Sequence, residues 1–142
     1  MNTRQIGQVR AFNRFYTNVI GLLNHYLLRG HYSLPEVRVM YEITHQRNCT
    51  AKSITETFDI DKGYLSRVLL KLQKARLITT RPSPEDGRSL ILQMTAQGAK
   101  EFHELECLAN DQIKGLVKGL RKEEKDELVY HMQAIERILS KK

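Results

Sequence analysis

Residues Asp61–Arg76, DKGYLSRVLLKLQKAR, carry an apolar face and a basic face at helical spacing, and a strand–turn–strand pattern follows at once. Leu65, Val68, Leu69 and Leu72 recur on one side of such a helix. Lys62, Gly63, Ser66, Arg67, Lys71 and Lys74 fall on or near the other side. Asp61 stands where an N-cap belongs, its carboxylate able to accept from the free N–H groups of the first turn. Leu77–Thr80 reads as a strand, Pro82–Gly87 (PSPEDG) as a turn, and Ser89–Thr95 (SLILQMT) as a second strand. A basic helix alone is commonly just a solvated face. One that leads straight into a hairpin with an arginine beside its tip has the layout of a winged helix, a fold that is mainly α with a small β-hairpin. That layout predicts a surface for duplex DNA.

The charge distribution agrees. The net charge is +7, and the excess is segregated: residues 1–32 hold four arginines and no acid, residues 47–89 hold nine bases against five acids, and residues 90–142 are balanced. Basic charge kept only for solubility has little reason to concentrate in this way. Nucleic acid is the natural partner, and an anionic membrane surface the weaker alternative. At 142 residues the chain suits one domain with a real core. No run of apolar residues is long enough to span a bilayer and no signal peptide is seen, so no membrane partner and a cytoplasmic location are expected. Cys49 and Cys107 are far apart and read most simply as free thiols.

Along the chain, residues 4–29 predict a long helix whose stripe is Val9, Phe12, Tyr16, Val19, Ile20, Leu23 and Leu27, with Gly30 placed to end it. The stripe is longer than a small lobe can cover, which implies a second subunit. Ser33 and Glu36 form a capping box for a helix that runs to about His45. Thr50 caps a short helix from Ala51 to Phe58, with Ile54 and Phe58 facing inward, and Asp59-Ile60 is the turn into the helix described first. Two short helices joined by a tight turn, the second basic, form a helix-turn-helix. Thr95 then caps a helix to about Lys118 with a stripe of Phe102, Leu105, Ala109, Ile113, Leu116 and Leu120. A turn near Gly119 leads to a last helix, about Lys122 to Ser140, with Leu128, Met132, Ile135 and Leu139 in a row. The expected organisation is a single domain, 1–142, in which 33–95 is the winged helix-turn-helix lobe and 4–29 and 96–140 are dimerisation helices.

Over nearly its whole length this pattern resembles the MarR family of bacterial transcriptional regulators. The resemblance runs through SLPEVRVMYEI, GYLSRVLLKLQKARLI and RPSPEDGRSLILQMTAQG. Its most specific part is Asp86-Gly87-Arg88-Ser89 followed by Thr95-Ala96-Gln97-Gly98, which is similar to the family's wing and helix-entry motifs. The leading VRAFNRFYTNVIGLLN looks like the regulator half of fusions to GNAT-type acetyltransferases, but a single domain is expected here and that activity is not carried over. The resemblance implies a homodimer whose terminal helices interlock. Its two lobes would read a pseudo-palindromic operator in double-stranded DNA, as a repressor released by a small-molecule effector or an oxidant. The alternatives are a helical adaptor that uses the winged helix for protein contacts, or a regulatory partner related to the acetyltransferase fusions. Three positions depart from the family pattern. Arg76 stands where glycine usually ends the recognition helix, Arg121 replaces a capping serine or threonine, and Leu70 occupies a normally polar spot. Leu70 suggests an apolar contact such as a thymine methyl, or a wider core.

The expected DNA-binding residues are Lys62, Tyr64, Ser66, Arg67, Lys71, Arg81, Asp86, Arg88 and Ser89. Arg67 suits guanine or a phosphate, and Tyr64 suits either DNA or packing between helices. Lys71, Lys74 and Arg76 suit phosphates or solvent. Arg88 suits a minor groove, with Asp86 orienting it or a neighbouring arginine; the plainer reading of Asp86-Gly87 is a hairpin turn. No catalytic residue, cofactor or metal is expected, since no nucleophile elbow, zinc-protease, P-loop or dinucleotide motif occurs. His103 and Cys107 share a helical face but are too few for a metal, and Cys49 and Cys107 are either oxidant sensors or ordinary thiols. Tyr16, His25, Tyr26, His31, Tyr32 and Tyr41 would suit a small aromatic or phenolic effector, or serve as core with satisfied polar tips.

Overall fold

A computed structural model describes residues 1–27 and 32–140. Among them, helices α1 (Thr3–Leu27), α2 (Leu34–His45), α3 (Ala51–Thr57) and α4 (Lys62–Lys74) precede strands β1 (Ile78–Pro82) and β2 (Leu90–Met94). Helices α5 (Ala96–Leu116) and α6 (Lys122–Leu139) follow the hairpin. The architecture is the expected winged helix-turn-helix flanked by long helices. The expected cap at Gly30 and the residue His31 lie outside the described residues, as do the side chains of Ile20, Leu23, His25, Tyr26 and Leu27 within α1.

Local hydrogen bonding sets most of the boundaries. The Glu36 amide donates to Ser33 Oγ and the Ser33 amide to Glu36 Oε2, closing the box at the start of α2. Thr50 and Ser53 do the same for α3, and Asp61 Oδ1 accepts from the Tyr64 amide at 2.8 Å to open α4. Arg121 caps α6 without a hydroxyl: its own amide donates to Glu124 Oε2 at 2.8 Å and its guanidinium to Glu124 Oε1 at 3.3 Å.

The C-terminus of α4 is strained. Arg76 has φ 59°, its amide donates to Gln73 O, and the Leu77 amide reaches back to Leu72 O at 3.0 Å. This is a Schellman cap with arginine at the left-handed position that glycine fills most easily. Arg76→Gly is therefore expected to stabilise the fold by about 0.5–1 kcal/mol, the relief of strain exceeding the added chain entropy. Urea denaturation of the two proteins measures it.

The same cap moves the hairpin by a residue or two from its expected ends. Leu77 belongs to the helix cap and β1 begins at Ile78. Pro82, expected in the turn, is the last residue of β1, opposite Leu90. A proline without an N–H is tolerated at that end, and the Ser83 amide takes up the next bond, to Ser89 O at 2.8 Å. Phe58 is likewise the extended cap residue after α3, half-buried on the core.

The core lies between α2, α4, the hairpin and the start of α5. Val39, Met40, Ile54, Leu65, Leu72 and Leu77 are each at most 2% exposed, and Phe102 closes one side. On the terminal helices the apolar rows stay open: Val9 and Phe12 of α1, Ile113 and Leu116 of α5, and Leu128 and Ile135 of α6 are all exposed. Among the described residues no helix is long and apolar enough to cross a membrane.

Candidate nucleic-acid interface

One groove, about 590 Å³, separates α4 from the hairpin. Ser66, Leu70 and Gln73 line it from α4, Thr50 and Lys52 from the start of α3, and Thr80, Arg88, Ser89 and Leu90 from the hairpin. Backbone bonds hold its walls together. Thr50 bridges to Ile91, and the Leu92 amide donates to Cys49 O at 2.8 Å, so the hairpin is stitched to the helix-turn-helix. The groove offers hydroxyl, amide and cationic groups to one surface, a set that suits a polyanion with hydrogen-bonding edges.

Seen individually, the expected residues divide into those that face outward and those that support. Lys62, Ser66 and Arg67 are exposed on the first half of α4. The Arg67 guanidinium sits 5.6 Å from the Tyr64 ring centre, a cation–π contact. Tyr64 itself is half-buried against the core with its hydroxyl 3.5 Å from Ser33 Oγ. It takes the packing alternative and props Arg67 from below. Arg81 does not join Arg88. Strand alternation puts it on the other face of the hairpin from Thr80 and Leu92, where its guanidinium donates to Asn48 Oδ1 at 3.5 Å.

Lys71 has a partner that its spacing did not announce. Its ammonium donates to Glu36 Oε1 at 2.9 Å and lies 6.0 Å from the Tyr32 ring centre. The Glu36 side chain is only 10% exposed and that of Lys71 55%, so this lysine compensates a buried carboxylate while much of its length stays open to solvent. The chain of contacts continues: Tyr32 donates to Glu101 Oε2, and Gln97 to Glu101 Oε1 at 3.4 Å. Burial and then the Glu101 hydrogen bond push the Tyr32 phenol up to about 12. Lys71 thus ties α4 to the start of α2 and, through Tyr32, to α5.

At the wing tip Asp86 acts on the backbone. Its carboxylate accepts from the Ser89 hydroxyl at 2.8 Å and from the Arg88 amide at 3.0 Å, and among the described residues no guanidinium is its partner. The Ser89 hydroxyl first, and the Arg88 amide second, hold its carboxyl below the usual carboxylate range. Ser83 Oγ accepts from the Glu85 and Asp86 amides across the tip. Arg88 is therefore oriented through its own main chain, leaving its side chain exposed at the groove mouth.

Gln73, Lys52 and Thr80 were absent from the expected set. Gln73 follows Ser66 and Leu70 at i+7 and i+3, a helical face that was legible; Lys52 and Thr80 depend on tertiary packing. Of the cysteines, Cys49 is buried and burial pushes its thiol up, against the thiolate form that reacts with oxidants. Cys107 is exposed with Sγ 3.6 Å from His103 Nε2. Among the described residues no group of three or more His, Cys, Asp and Glu could hold a metal ion. A second, mainly apolar groove of about 310 Å³ lies between α2 and α5, lined by Val37, Tyr41, Phe102, Leu105 and Ala109 with Arg38 at its edge. Of the polar aromatics, Tyr41 is there, Tyr32 is in the network above, and Tyr16 stacks on Phe12 at 5.6 Å.

Helix-turn-helix, hairpin and flanking helices together define a winged-helix protein. Residues 32–90 match the sequence profile of the MarR family. It is 30% identical over 94 residues to the organic hydroperoxide resistance transcriptional regulator of Bacillus subtilis, covering 66% of this chain and 60% of that protein. It is 23% identical over 96 residues to the HTH-type transcriptional regulator BilQ of Clostridioides difficile, covering 68% of this chain and 65% of that one. The matched region thus spans less than two thirds of either curated relative. Its fold is that of a mutant MarR from E. coli in complex with operator DNA, with a TM-score of 0.75 at 23% identity over 93% of this chain and 95% of that chain.

Proposed function

We propose that the chain is a sequence-specific transcriptional regulator that binds double-stranded DNA as a homodimer on a pseudo-palindromic operator. The observation that carries this reading is the groove between α4 and the hairpin, where Ser66, Gln73, Lys52 and Arg88 line one surface in a basic part of the chain. On this reading α4 enters the major groove. Ser66 and Gln73 face base edges, Lys62, Arg67 and Lys74 meet bases or phosphates, and Arg88 reaches the adjacent minor groove. Asp86 and Ser89 shape the tip, Arg81 braces its other face, and Tyr64 and Lys71 hold the helix from behind. The names of the two curated relatives and the operator complex of the E. coli protein support it. The open apolar rows on α1, α5 and α6 support the dimer. Such a protein works in the cytoplasm, beside the chromosome.

The finer part of the proposal is a repressor released by a small aromatic or phenolic effector. The groove between α2 and α5 supports it, because its apolar walls carry a phenol, Tyr41, and a guanidinium, Arg38, at the edge. The guanidinium lies 5.5 Å from the Tyr41 ring centre.

Selecting duplexes from a random pool tests the main reading. One enriched palindromic sequence is expected, bound with an affinity that falls steeply with salt, by roughly −0.9 in log–log slope for each phosphate contact. Arg88→Lys should then bind the selected site several-fold more weakly, more so with A·T-rich flanks, because a narrow minor groove favours a guanidinium over a hydrated ammonium. Weak, unselective binding even at low salt would indicate the adaptor instead.

A further inference from the structure

The face of α4 that looks into the groove is not uniformly polar. Leu70 is 50% exposed there, one turn from Ser66 on one side and from Gln73 on the other. The core does not use it: Leu65, Val68 and Leu72 occupy the opposite face of α4 and are 2%, 3% and 0% exposed. Nor does it belong to the open rows of α1, α5 and α6, which lie on other elements. A lone exposed leucine on a surface needs no explanation. This one stands between two hydrogen-bonding side chains, in a groove whose mouth carries Lys52 and Arg88, and it shares that groove with Leu90, 53% exposed.

A polyanion that brings its own apolar group would match such a surface. Among the base edges of the major groove the single apolar group is the C5-methyl of thymine. The guanine and adenine edges would instead set a polar N7, O6 or N6 against the leucine and leave it without a partner, and cytosine offers only a C5 hydrogen beside its N4 amine. We infer that Leu70 is a specificity-determining residue that recognises a thymine methyl in each half-site, with Ser66 and Gln73 facing the neighbouring base edges. The inference rests on the proposed DNA-binding reading of the groove and adds to it one base and one chemical group.

Deoxyuridine isolates that group, because it pairs as thymine does and lacks only the methyl. The duplex selected by the wild-type protein is prepared with thymine throughout and with deoxyuridine throughout, and affinities are measured at one salt concentration for wild type, Leu70→Ser and Leu90→Ser. Burial of one methyl-sized group predicts a loss for the wild type on deoxyuridine of about 4-fold per half-site. Leu70→Ser should bind both duplexes alike, and Leu90→Ser should keep the wild-type ratio. Thermal melting of both variants near the wild-type temperature is expected, since neither side chain is in the core. Equal binding of both duplexes by the wild type overturns the inference, and so does an undiminished ratio in Leu70→Ser or a ratio lost in Leu90→Ser. Either result leaves DNA binding itself standing. Absence of duplex binding by the wild type would reject the reading of the groove as a whole.

Discussion

Gly98→Ala is expected to destabilise the fold by about 3 kcal/mol, the upper end of the cost of overpacking. A Cβ at Gly98 would overlap the Leu77 carbonyl oxygen and come within 2.7 Å of its carbon. Neither side can retreat. The Leu77 amide is held by Leu72 O at 3.0 Å, and the Leu77 carbonyl accepts from the Thr95 amide at 2.9 Å. Thr95 Oγ1 also donates to Arg76 O at 2.7 Å while accepting from the Gly98 amide at 3.0 Å. The end of α4, the start of β1 and the first turn of α5 therefore meet at one point, and a methyl group there pushes α5 away and with it Phe102 and Leu105 from the core. Gly115 provides the contrast on the same helix, because a Cβ there meets nothing within 4 Å. Gly115→Ala should be neutral or stabilise by up to about 1 kcal/mol from helix propensity. Denaturant midpoints of the two variants check both expectations, and a Gly98→Ala midpoint equal to wild type would mean that the junction is not rigid.

What could be read beforehand follows the range of the interactions. Ser33 with Glu36, Thr50 with Ser53, and Asp61 with Tyr64 each close within three residues, so the starts of α2, α3 and α4 were visible in the sequence. Apolar spacing then gave each helix its inner face. Arg76 was legible only through the resemblance, which sets a glycine at that position; the structure gives it φ 59°. Contacts between distant residues were hidden. Nothing in the spacing announces that Lys71 bonds Glu36, 35 residues away, and a lysine on a basic helix suited phosphate or solvent. Arg81 was expected at the DNA surface, yet its guanidinium donates to Asn48, 33 residues away, while Arg88 lines the groove. Lys52 and Thr80 became part of the groove only when α3 and the hairpin were brought together. The hairpin ends were misplaced by one or two residues because the helix cap reaches through Leu77 and the ladder continues through Pro82.

The double variant Leu128→Glu with Ile135→Glu is expected to yield monomers and to lower operator affinity by at least 100-fold. In the single chain α6 has no buried residue, and Leu128, Met132, Ile135 and Leu139 are 37%, 43%, 40% and 68% exposed along one side. A helix with an apolar row and nothing over it is marginal in water by itself. A second copy that brings α1, α5 and α6 into contact with these rows removes that surface from solvent on both chains. Two carboxylates in the row would have to be buried without partners, which costs more than the contact returns. The winged lobe should keep its secondary structure, since its core draws on α2, α3, α4, the hairpin and the start of α5. The affinity falls because the second lobe no longer binds as part of the same molecule, and linking two half-site contacts is worth roughly 10²–10⁴. Tyr130→Glu serves as the control: Tyr130 is 66% exposed on the other side of α6, and its replacement should leave the dimer intact. Sedimentation together with duplex titration reads both quantities. Dimers that persist in the double variant but dissociate with Tyr130→Glu would place the interface on the opposite side of α6. A wild-type protein that sediments as a stable monomer at micromolar concentration would remove the dimer from the proposal.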